Sequence, residues 1–327
     1  MSNDYYVVSG DSLRDVADKI REKGGTSTQL EFPDGWMNAI DDIETGGGSS
    51  ASAGDVWQDA NGLVHLASEA SSGDEVPDDG KTRIWIHIAD GTPDNRLTFY
   101  LRFTASEANN TTVDWGDGVS ETLGSTTATN YSHKYSQGGD YVITMTVNNG
   151  TISFDGTAGS NGYGIYGAKN NSFNRSRIKR IILGDKISNI GSCSCQYCFG
   201  LSFIIIPNNI TKIDTAALSA CYNLSSIIIP DSVTYIEASA FSNCTGLTSI
   251  TIPSNVTGIG AGAFSTCAGM SEYHFKPTTP PTLENSNAFS SIPSDCIIYV
   301  PRGSLSAYQQ ATNWSQFSSY MQEEPQS

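Results

Sequence analysis

The residues of this sequence that are best suited to chemistry by type and spacing are three cysteines, Cys193, Cys195 and Cys198. Cysteine thiolates bind zinc well, but a structural zinc site needs four ligands. The sequence supplies no fourth cysteine and no histidine close to this group, and Cys198 also belongs to a repeat described below. We therefore predict that no metal binds here and that these cysteines have a packing role.

Three aspartates, Asp114, Asp117 and Asp140, form the next group, because carboxylate oxygens are ligands that calcium prefers. Asp117 is followed by Gly118, however, and an Asp-Gly pair also makes a tight turn without any metal. We favour the turn and keep the three aspartates as candidates for calcium. Melting curves with and without a chelator separate the two interpretations.

The sequence shows no pattern typical of a catalyst. Serine, histidine and aspartate do not occur in the arrangement of a nucleophilic triad, and there is no phosphate-binding loop. Gly159, Gly162 and Gly164 are not preceded by a strand pattern, which argues against a dinucleotide-binding loop. The histidines lie in four separate segments, as His65, His87, His133 and His274. We predict that the protein is not an enzyme and has no cofactor.

Charge and hydropathy argue against further classes of function. The 327 residues include 18 Lys and Arg against 34 Asp and Glu, a formal net charge of −16, which argues against a basic face for nucleic acid. No apolar run is long enough to span a membrane. Met1 to Tyr6 lacks the basic start and apolar core of a signal peptide. Either the natural protein carries an export signal that this sequence lacks, or the protein leaves its cell by lysis.

A period of 23 residues organises the chain from Ile178 to Gly269. We call each period a row; the four rows are 178–200, 201–223, 224–246 and 247–269. Fixed columns hold isoleucine, such as Ile181, Ile204, Ile227 and Ile250, and every row has a cysteine two residues before its end, at Cys198, Cys221, Cys244 and Cys267. A fixed period of this length predicts a solenoid in which each row buries its apolar side against the next. We interpret the cysteine column as small buried packing groups and not as disulfides.

The rows resemble the leucine-rich repeats of the BspA type, with the pattern L-x-x-I-x-I-P-x-x-V-x-x-I-x-x-x-A-F-x-x-C. The resemblance extends to the segment that starts at Ile297 and ends near Trp314, and implies a leucine-rich-repeat domain over 177–327 with about four repeats. Such a domain implies an extended binding surface. Residues 304–320 suit a capping helix, whose apolar side chains would cover the last row: Leu305, Tyr308, Trp314 and Phe317.

Residues 81–155 predict an antiparallel sandwich, because apolar and polar residues alternate along several segments. Val113-Asp-Trp-Gly-Asp-Gly118, His133-Lys-Tyr135 and the strand pattern from Gly139 to Val147 resemble PKD-type domains. That resemblance implies an immunoglobulin-like β-sandwich that serves as a spacer or as a binding surface. The overall fold class predicted is therefore mainly β, with a small helical unit at the N-terminus.

The remaining segments predict attachment and linkage. Residues 1–45 have a helical spacing of apolar residues that includes Leu13, Val16 and Ile20. Residues 46–80 are linkers with a short β-hairpin at Asn61-Gly62, and 156–176 is a connector. The segments from Ser12 to Gly25 and from Leu30 to Ile40 resemble a region at the front of phage tail and minor structural proteins from Gram-positive hosts.

Together these resemblances imply a phage tail-associated adhesion protein, either receptor-binding protein or tail fibre. It would attach to other virion tail proteins through residues 1–45 and bind a host surface protein or polysaccharide. Tail fibres are commonly trimeric, so we expect a homo-oligomer such as a trimer, in the tail of a virion, made in the host cytoplasm and released by lysis. The alternative is a bacterial cell-surface leucine-rich-repeat adhesin. Exposed residues between the core columns are the predicted contacts: Tyr222, Asn223, Tyr235, Glu237 and Asn243.

Overall fold

The computed structural model describes residues 6–8, 56–58, 64–66, 79–154, 165 and 172–325. The chain forms two units, Met1–Asp78 with Pro325–Ser327, and Asp79–Glu324. In the first unit, strands β1 (Tyr6–Val8), β2 (Val56–Gln58) and β3 (Val64–Leu66) form an antiparallel sheet in that order. β2 and β3 flank the segment where the sequence predicts a hairpin. The predicted helices of residues 1–45 lie outside the described residues.

The second unit begins with two sheets whose inward side chains alternate along each strand. In β4, Ile84, Ile86 and Ile88 are buried while the residues between them are partly or fully exposed, which is the pattern of a strand with one face in a core. The strands before the solenoid are β4 (Thr82–Ile88), β5 (Thr98–Ala105), β6 (Thr111–Asp114), β7 (Ser120–Leu123), β8 (Thr129–Lys134), β9 (Gly139–Val147) and β10 (Ile152–Phe154), with a short 3-10 helix η1 (Asp94–Arg96).

The solenoid follows a short helix, α1 (Ser172–Arg177), and contains two ladders of parallel strands. The first ladder comprises β11 (Ile178–Ile182) and β13 (Phe203–Ile205), which pair with each other, and a separate sheet of β16 (Ser249–Ile252), β18 (Glu272–Phe275), β20 (Ile297–Val300) and β21 (Met321–Glu323); the row 224–246 between them has no strand on this side. The second comprises β12 (Ile187–Ile190), which lies in a sheet with strands of residues 98–154, and a separate sheet of β14 (Lys212–Ile213), β15 (Tyr235–Ile236), β17 (Gly258–Ile259) and β19 (Thr282–Leu283). Ile181 is the register partner of Ile204, as the 23-residue columns predict. Strands also continue past Gly269, so the array is longer than the four rows seen in the sequence.

The third side of each row is a turn segment that is held by hydrogen bonds to the next row. Alternate amides point along the stack; for example, the N–H groups of Ala216 and Leu218 donate to the carbonyl oxygens of Ala238 and Ala240, both at 2.9 Å. Non-glycine residues adopt positive φ in two columns of this side, with Ala216 at 54° and Tyr197 at 63°. Left-handed backbone is costly for such residues, and the hydrogen bonds to the next row offset that cost.

Both sheets of residues 82–154 also include the first strands of the solenoid. One sheet has the order β13-β11-β4-β9-β6-β7, and the other has the order β12-β10-β5-β8. β11 pairs antiparallel with β4, and β12 pairs parallel with β10. Residues 81–155 and 177–327, which the sequence separates into two domains, therefore lie in one unit. Gly184 replaces the proline found at this position in later rows, because a Cβ there would collide with the Gly80 carbonyl oxygen at the entry to β4.

The last rows are closed by aromatic residues and a short C-terminal strand. The segment for which the sequence predicts one capping helix forms two short helices, α2 (Leu305–Gln310) and the 3-10 helix η2 (Ser315–Tyr320), followed by β21. Tyr308, Trp314 and Phe317 are buried. The Tyr308 hydroxyl and the Trp314 indole N–H each donate at 2.7 Å, to the carbonyl oxygens of Pro277 and Pro281. Among the described residues, no helix is long and apolar enough to cross a membrane.

Candidate binding surface

A group of aromatic side chains lies where the first two rows end, with Tyr222 exposed and Tyr197 and Phe199 partly buried. We call it the row-end corner and define it as Tyr197, Phe199, Tyr222 and Asn223. The rings of Phe199 and Tyr222 stack with centroids 5.2 Å apart and planes 11° apart, and Tyr197 meets Phe199 edge-on at 5.9 Å. Tyr222 is 44% exposed. A large aromatic surface that remains open to solvent in a folded protein is a candidate contact for a ligand.

The repeat explains why the corner stands open on the side away from Phe199. Phe199 and Tyr222 occupy one column, and its next member is Thr245, which is exposed and too short to cover an aromatic ring. The neighbouring column holds glycine in the other rows; a Cβ at Gly246 would lie 2.6 Å from the Tyr222 carbonyl oxygen. In the second row this column carries Asn223, which is exposed. The second row thus presents a ring and an amide side by side.

Buried thiols in the core of the solenoid hold the row ends in place. The residue that precedes Tyr222 is Cys221, which is fully buried, and its Sγ donates to the Cys195 carbonyl oxygen at 3.2 Å. Cys244 repeats this contact one row later, with its Sγ 3.1 Å from the Leu218 carbonyl oxygen. Burial raises the pKa of both thiols well above its usual value. The cysteine column therefore anchors the turn that projects Tyr222.

All seven cysteines are buried and none forms a disulfide. The three cysteines singled out in the sequence, Cys193, Cys195 and Cys198, follow this pattern, and burial raises the pKa of Cys198. Within the described part of the chain, no group of three or more His, Cys, Asp or Glu side chains is arranged to hold a metal ion. Thiols that are kept protonated in an apolar interior are poor metal ligands and poor nucleophiles.

Hydroxyl and amine groups border the corner along the start of each row. The column holds Lys179, Ser202 and Ser225 in successive rows. The Ser202 hydroxyl donates to the Lys179 carbonyl oxygen at 3.1 Å, and the Ser225 hydroxyl donates to the Ser202 carbonyl oxygen at 3.4 Å. The Lys179 Nζ donates to the Ser176 carbonyl oxygen at 3.0 Å. Polar groups therefore run beside the aromatic column in the direction of the stack.

Two of the predicted contacts, Tyr235 and Glu237, lie on the second ladder and are engaged with neighbouring side chains. The Tyr235 hydroxyl donates to Glu284 Oε1 at 3.0 Å, and burial together with Glu284 raises the pKa of Tyr235 to about 12. The Lys212 Nζ lies 3.2 Å from Glu237 Oε1 and 2.7 Å from Asp214 Oδ1. These contacts make a polar network that tightens the outer face of this ladder.

Asn243, the remaining predicted contact, lies on the turn side, where it adopts φ 61° and its Nδ2 donates to the Ser242 hydroxyl at 2.9 Å. The structure thus distributes the five predicted residues over three places and brings only Tyr222 and Asn223 together at the corner. Sequence reasoning did not select Phe199 or Tyr197. The signal was present, because Phe199 precedes Tyr222 by one period and shares its column.

The three aspartates considered for calcium make contacts within the protein. Asp114 Oδ1 accepts from the Gly116 N–H at 2.9 Å, and Asp117 Oδ1 accepts from the Val119 N–H at 3.2 Å. Asp117 Oδ2 lies 2.7 Å from His133 Nε2. Asp140 Oδ1 lies 2.8 Å from the His87 Nδ1. These bonds are those of carboxylates that shape turns and pair with histidine.

The repeat region matches a known family. Residues 168–294 match the BspA type Leucine rich repeat region, in six copies. The match extends past Gly269, where the strands of the solenoid also continue. No curated protein matches the chain.

Solved structures show partial likeness to the repeats. A leucine rich cell surface protein from Faecalibacterium prausnitzii is 30% identical over 32% of this chain and 27% of its own, with a TM-score of 0.31. A leucine-rich repeat protein from Bacteroides ovatus is 26% identical over 48% of this chain and 45% of its own, with a TM-score of 0.35. A T. pallidum leucine rich repeat protein is 19% identical over 45% of this chain and 69% of its own, with a TM-score of 0.37. The chain thus spans about a quarter of the length of the first of these proteins.

Proposed function

We propose that the protein is a phage tail-associated adhesion protein that binds the host surface through the row-end corner of its solenoid. The observation that carries this proposal is the open aromatic surface of Tyr222, stacked on Phe199 and 44% exposed. Aromatic side chains contribute strongly to binding interfaces when they are presented rigidly. Here the buried Cys221 directly before Tyr222 supplies that rigidity.

The placement in a virion tail rests on the segments from Ser12 to Gly25 and from Leu30 to Ile40, which resemble the front of phage tail and minor structural proteins. In this proposal residues 1–45 attach the chain to other tail proteins. Several copies in one particle would gain avidity from weak individual contacts, so a homo-oligomer is part of the proposal. Labelling particles with antibodies against this chain, followed by electron microscopy, tests the placement; unlabelled particles would refute it.

Binding itself is tested with the purified full chain and cell walls from a panel of Gram-positive bacteria. We expect the chain to co-sediment with the walls of its host, and Tyr222→Ala to weaken this binding by about tenfold, the loss that 1.4 kcal/mol represents. Thr245→Ala is the matched control, since Thr245 occupies the same column one row later and is also exposed. Equal binding by the native chain and Tyr222→Ala would place the contact elsewhere.

The second candidate is a bacterial cell-surface adhesin, which the BspA-type region favours because such repeats usually occur on exported surface proteins. Both candidates use the same binding surface and differ in where the chain resides. Fractionation of the producing cells separates them: an adhesin is found in the wall of intact cells, whereas a tail protein is released with particles upon lysis.

A further inference from the structure

The row-end corner combines three chemical features, and few classes of ligand complement all three of them. It has an open aromatic face, a line of hydroxyl groups beside it, and a local excess of positive charge. The aromatic face and the hydroxyl groups follow from columns of the repeat, and the charge comes from Arg175 and Lys179 at the start of the array. The ligand class is inferred from this combination and rests on the binding role proposed above.

The aromatic face belongs to Tyr222. One side of its ring lies against Phe199, with the planes 11° apart, and the next residue of the column is the short Thr245. The open side is therefore a flat apolar surface of about one ring, and the residue that follows Tyr222 is the exposed Asn223. A surface of this size suits the apolar C–H face of a pyranose, since each ring of a sugar is of similar area to a phenol ring.

The hydroxyl column supplies hydrogen-bond acceptors next to that ring. The hydroxyls of Ser202 and Ser225 each donate their proton to a backbone carbonyl oxygen in the preceding row. A hydroxyl has one donor and two acceptor lone pairs, so the remaining capacity of both groups is to accept. Sugar hydroxyls are donors that match this arrangement. Successive acceptors are one row apart, which is about 4.8 Å between neighbouring strands.

The charge near the corner is opposite to that of the chain. Arg175 and Lys179 are basic and lie at the start of the array, whereas the whole chain carries −16. The Arg175 guanidinium lies over the Tyr197 ring, 5.0 Å from its centroid. Lys179 begins the hydroxyl column, and one of its three ammonium donors is used by the Ser176 carbonyl oxygen. Arg177 is buried and donates to the carbonyl oxygens of Thr98 and Arg96, so its role is structural.

We propose that the row-end corner binds an anionic polysaccharide, with a sugar ring stacked on Tyr222 and an acidic group of the same polymer placed near Lys179. The surface is shallow and linear, which fits an extended polymer better than a small molecule that needs an enclosing cavity. An acidic peptide offers the charge but not the flat ring with donor hydroxyls around it. A neutral glycan offers the ring but not the charge.

Three soluble probes separate these features: short oligogalacturonates with ring and charge, short dextran oligosaccharides with ring alone, and polyglutamate with charge alone. The full chain is titrated with each by calorimetry. We expect oligogalacturonates to bind at least about tenfold more tightly than the other two, and the binding to weaken as salt is added, since exposed charges are screened within about 10 Å at 0.1 M salt. Equal binding of oligogalacturonate and dextran, or tighter binding of polyglutamate, would overturn the proposal.

Variants of the same columns make the test specific. Tyr222→Ala is expected to weaken oligogalacturonate binding about tenfold at all salt concentrations, and Lys179→Gln to weaken it at low salt and flatten its salt dependence. Thr245→Tyr extends the aromatic column by one row and is expected to tighten binding, while Thr245→Ala leaves it unchanged. Circular dichroism confirms that each variant is folded. If Thr245→Tyr and Tyr222→Ala both leave the affinity unchanged, the corner is not the site.

The outcomes distinguish this inference from the function that it rests on. Binding to host walls without binding to any anionic oligosaccharide would reject the ligand class and leave the adhesion role in place. A chain that binds neither walls nor oligosaccharides would reject both. Wall binding that is competed by free oligogalacturonate, and lost in Tyr222→Ala, supports both.

Discussion

Replacement of Phe264 by alanine tests whether the rows hold each other in place. Phe264 is 1% exposed and lies between the rings of Phe241 and Phe289, at centroid distances of 5.3 Å and 5.5 Å and interplanar angles of 3° and 4°. Burial of a phenylalanine side chain stabilises a fold by about 1.5–3 kcal/mol. Two stacked neighbours add about 0.5–1.5 kcal/mol each. We therefore expect Phe264→Ala to lower the free energy of unfolding by about 3–5 kcal/mol, as for other buried phenylalanines.

The assay is equilibrium unfolding in guanidinium chloride, followed by far-ultraviolet circular dichroism. Ile228→Ala is the matched control, because Ile228 is in the same solenoid but 50% exposed, and exposed substitutions cost within about 0.5 kcal/mol. If Phe264→Ala lowers the free energy of unfolding by less than about 1 kcal/mol, a value typical of surface sites, the stacked rings do not stabilise the fold. The explanation of the solenoid core given above would then be wrong.

Three further predictions concern titration, thiol reactivity and metal. Burial opposes protonation of His274, but Glu324 at 3.1 Å and Glu272 at 3.1 Å outweigh it and raise the pKa of the imidazole. The stabilisation by the protonated imidazole is complete below the unfolded-state pKa and is lost as pH rises through the folded-state pKa. The melting temperature should therefore fall between about pH 6 and 8, and His274→Gln should remove that fall. All seven cysteines are buried, so a thiol reagent should react slowly with the native protein and rapidly with all seven after denaturation; fast native reaction would contradict the packing described. Because Asp117 is bonded to Val119 and His133, a chelator should leave the melting temperature unchanged, and a drop on chelation would point to bound calcium.

Much of the solenoid can be read from the sequence because its core repeats in fixed columns. Ile181, Ile204 and the cysteine column reveal the period directly. The copy number is harder to read, since the rows beyond Gly269 insert Pro277, Pro280 and Pro281 and lose the column pattern. The pairing of β11 with β4 leaves no trace in composition or spacing, because pairing between edge strands is made by backbone groups that every residue carries.

The candidate surface is only partly predictable for a related reason. Spacing identifies exposed columns, and it correctly places Tyr222 and Asn223 outside the core. It does not tell which of the three sides a residue occupies, so it predicts one contact zone for Tyr222, Asn223, Tyr235, Glu237 and Asn243, whereas the structure places the last three elsewhere. The stack of Phe199 on Tyr222 follows from the shared column alone and was within reach of sequence reasoning.

The shared sheets have a consequence for anyone who wishes to cut or recombine this chain. A blunt division after Phe154 would strip β4 and β10 of the partners β11 and β12 and leave open strand edges on both fragments, which recruit strands from other molecules. The residues before and after this division therefore cannot be exchanged as independent domains. A chimera that grafts this solenoid onto another carrier must bring β4 through β10 with it, or supply a new strand on each side to seal the exposed ends.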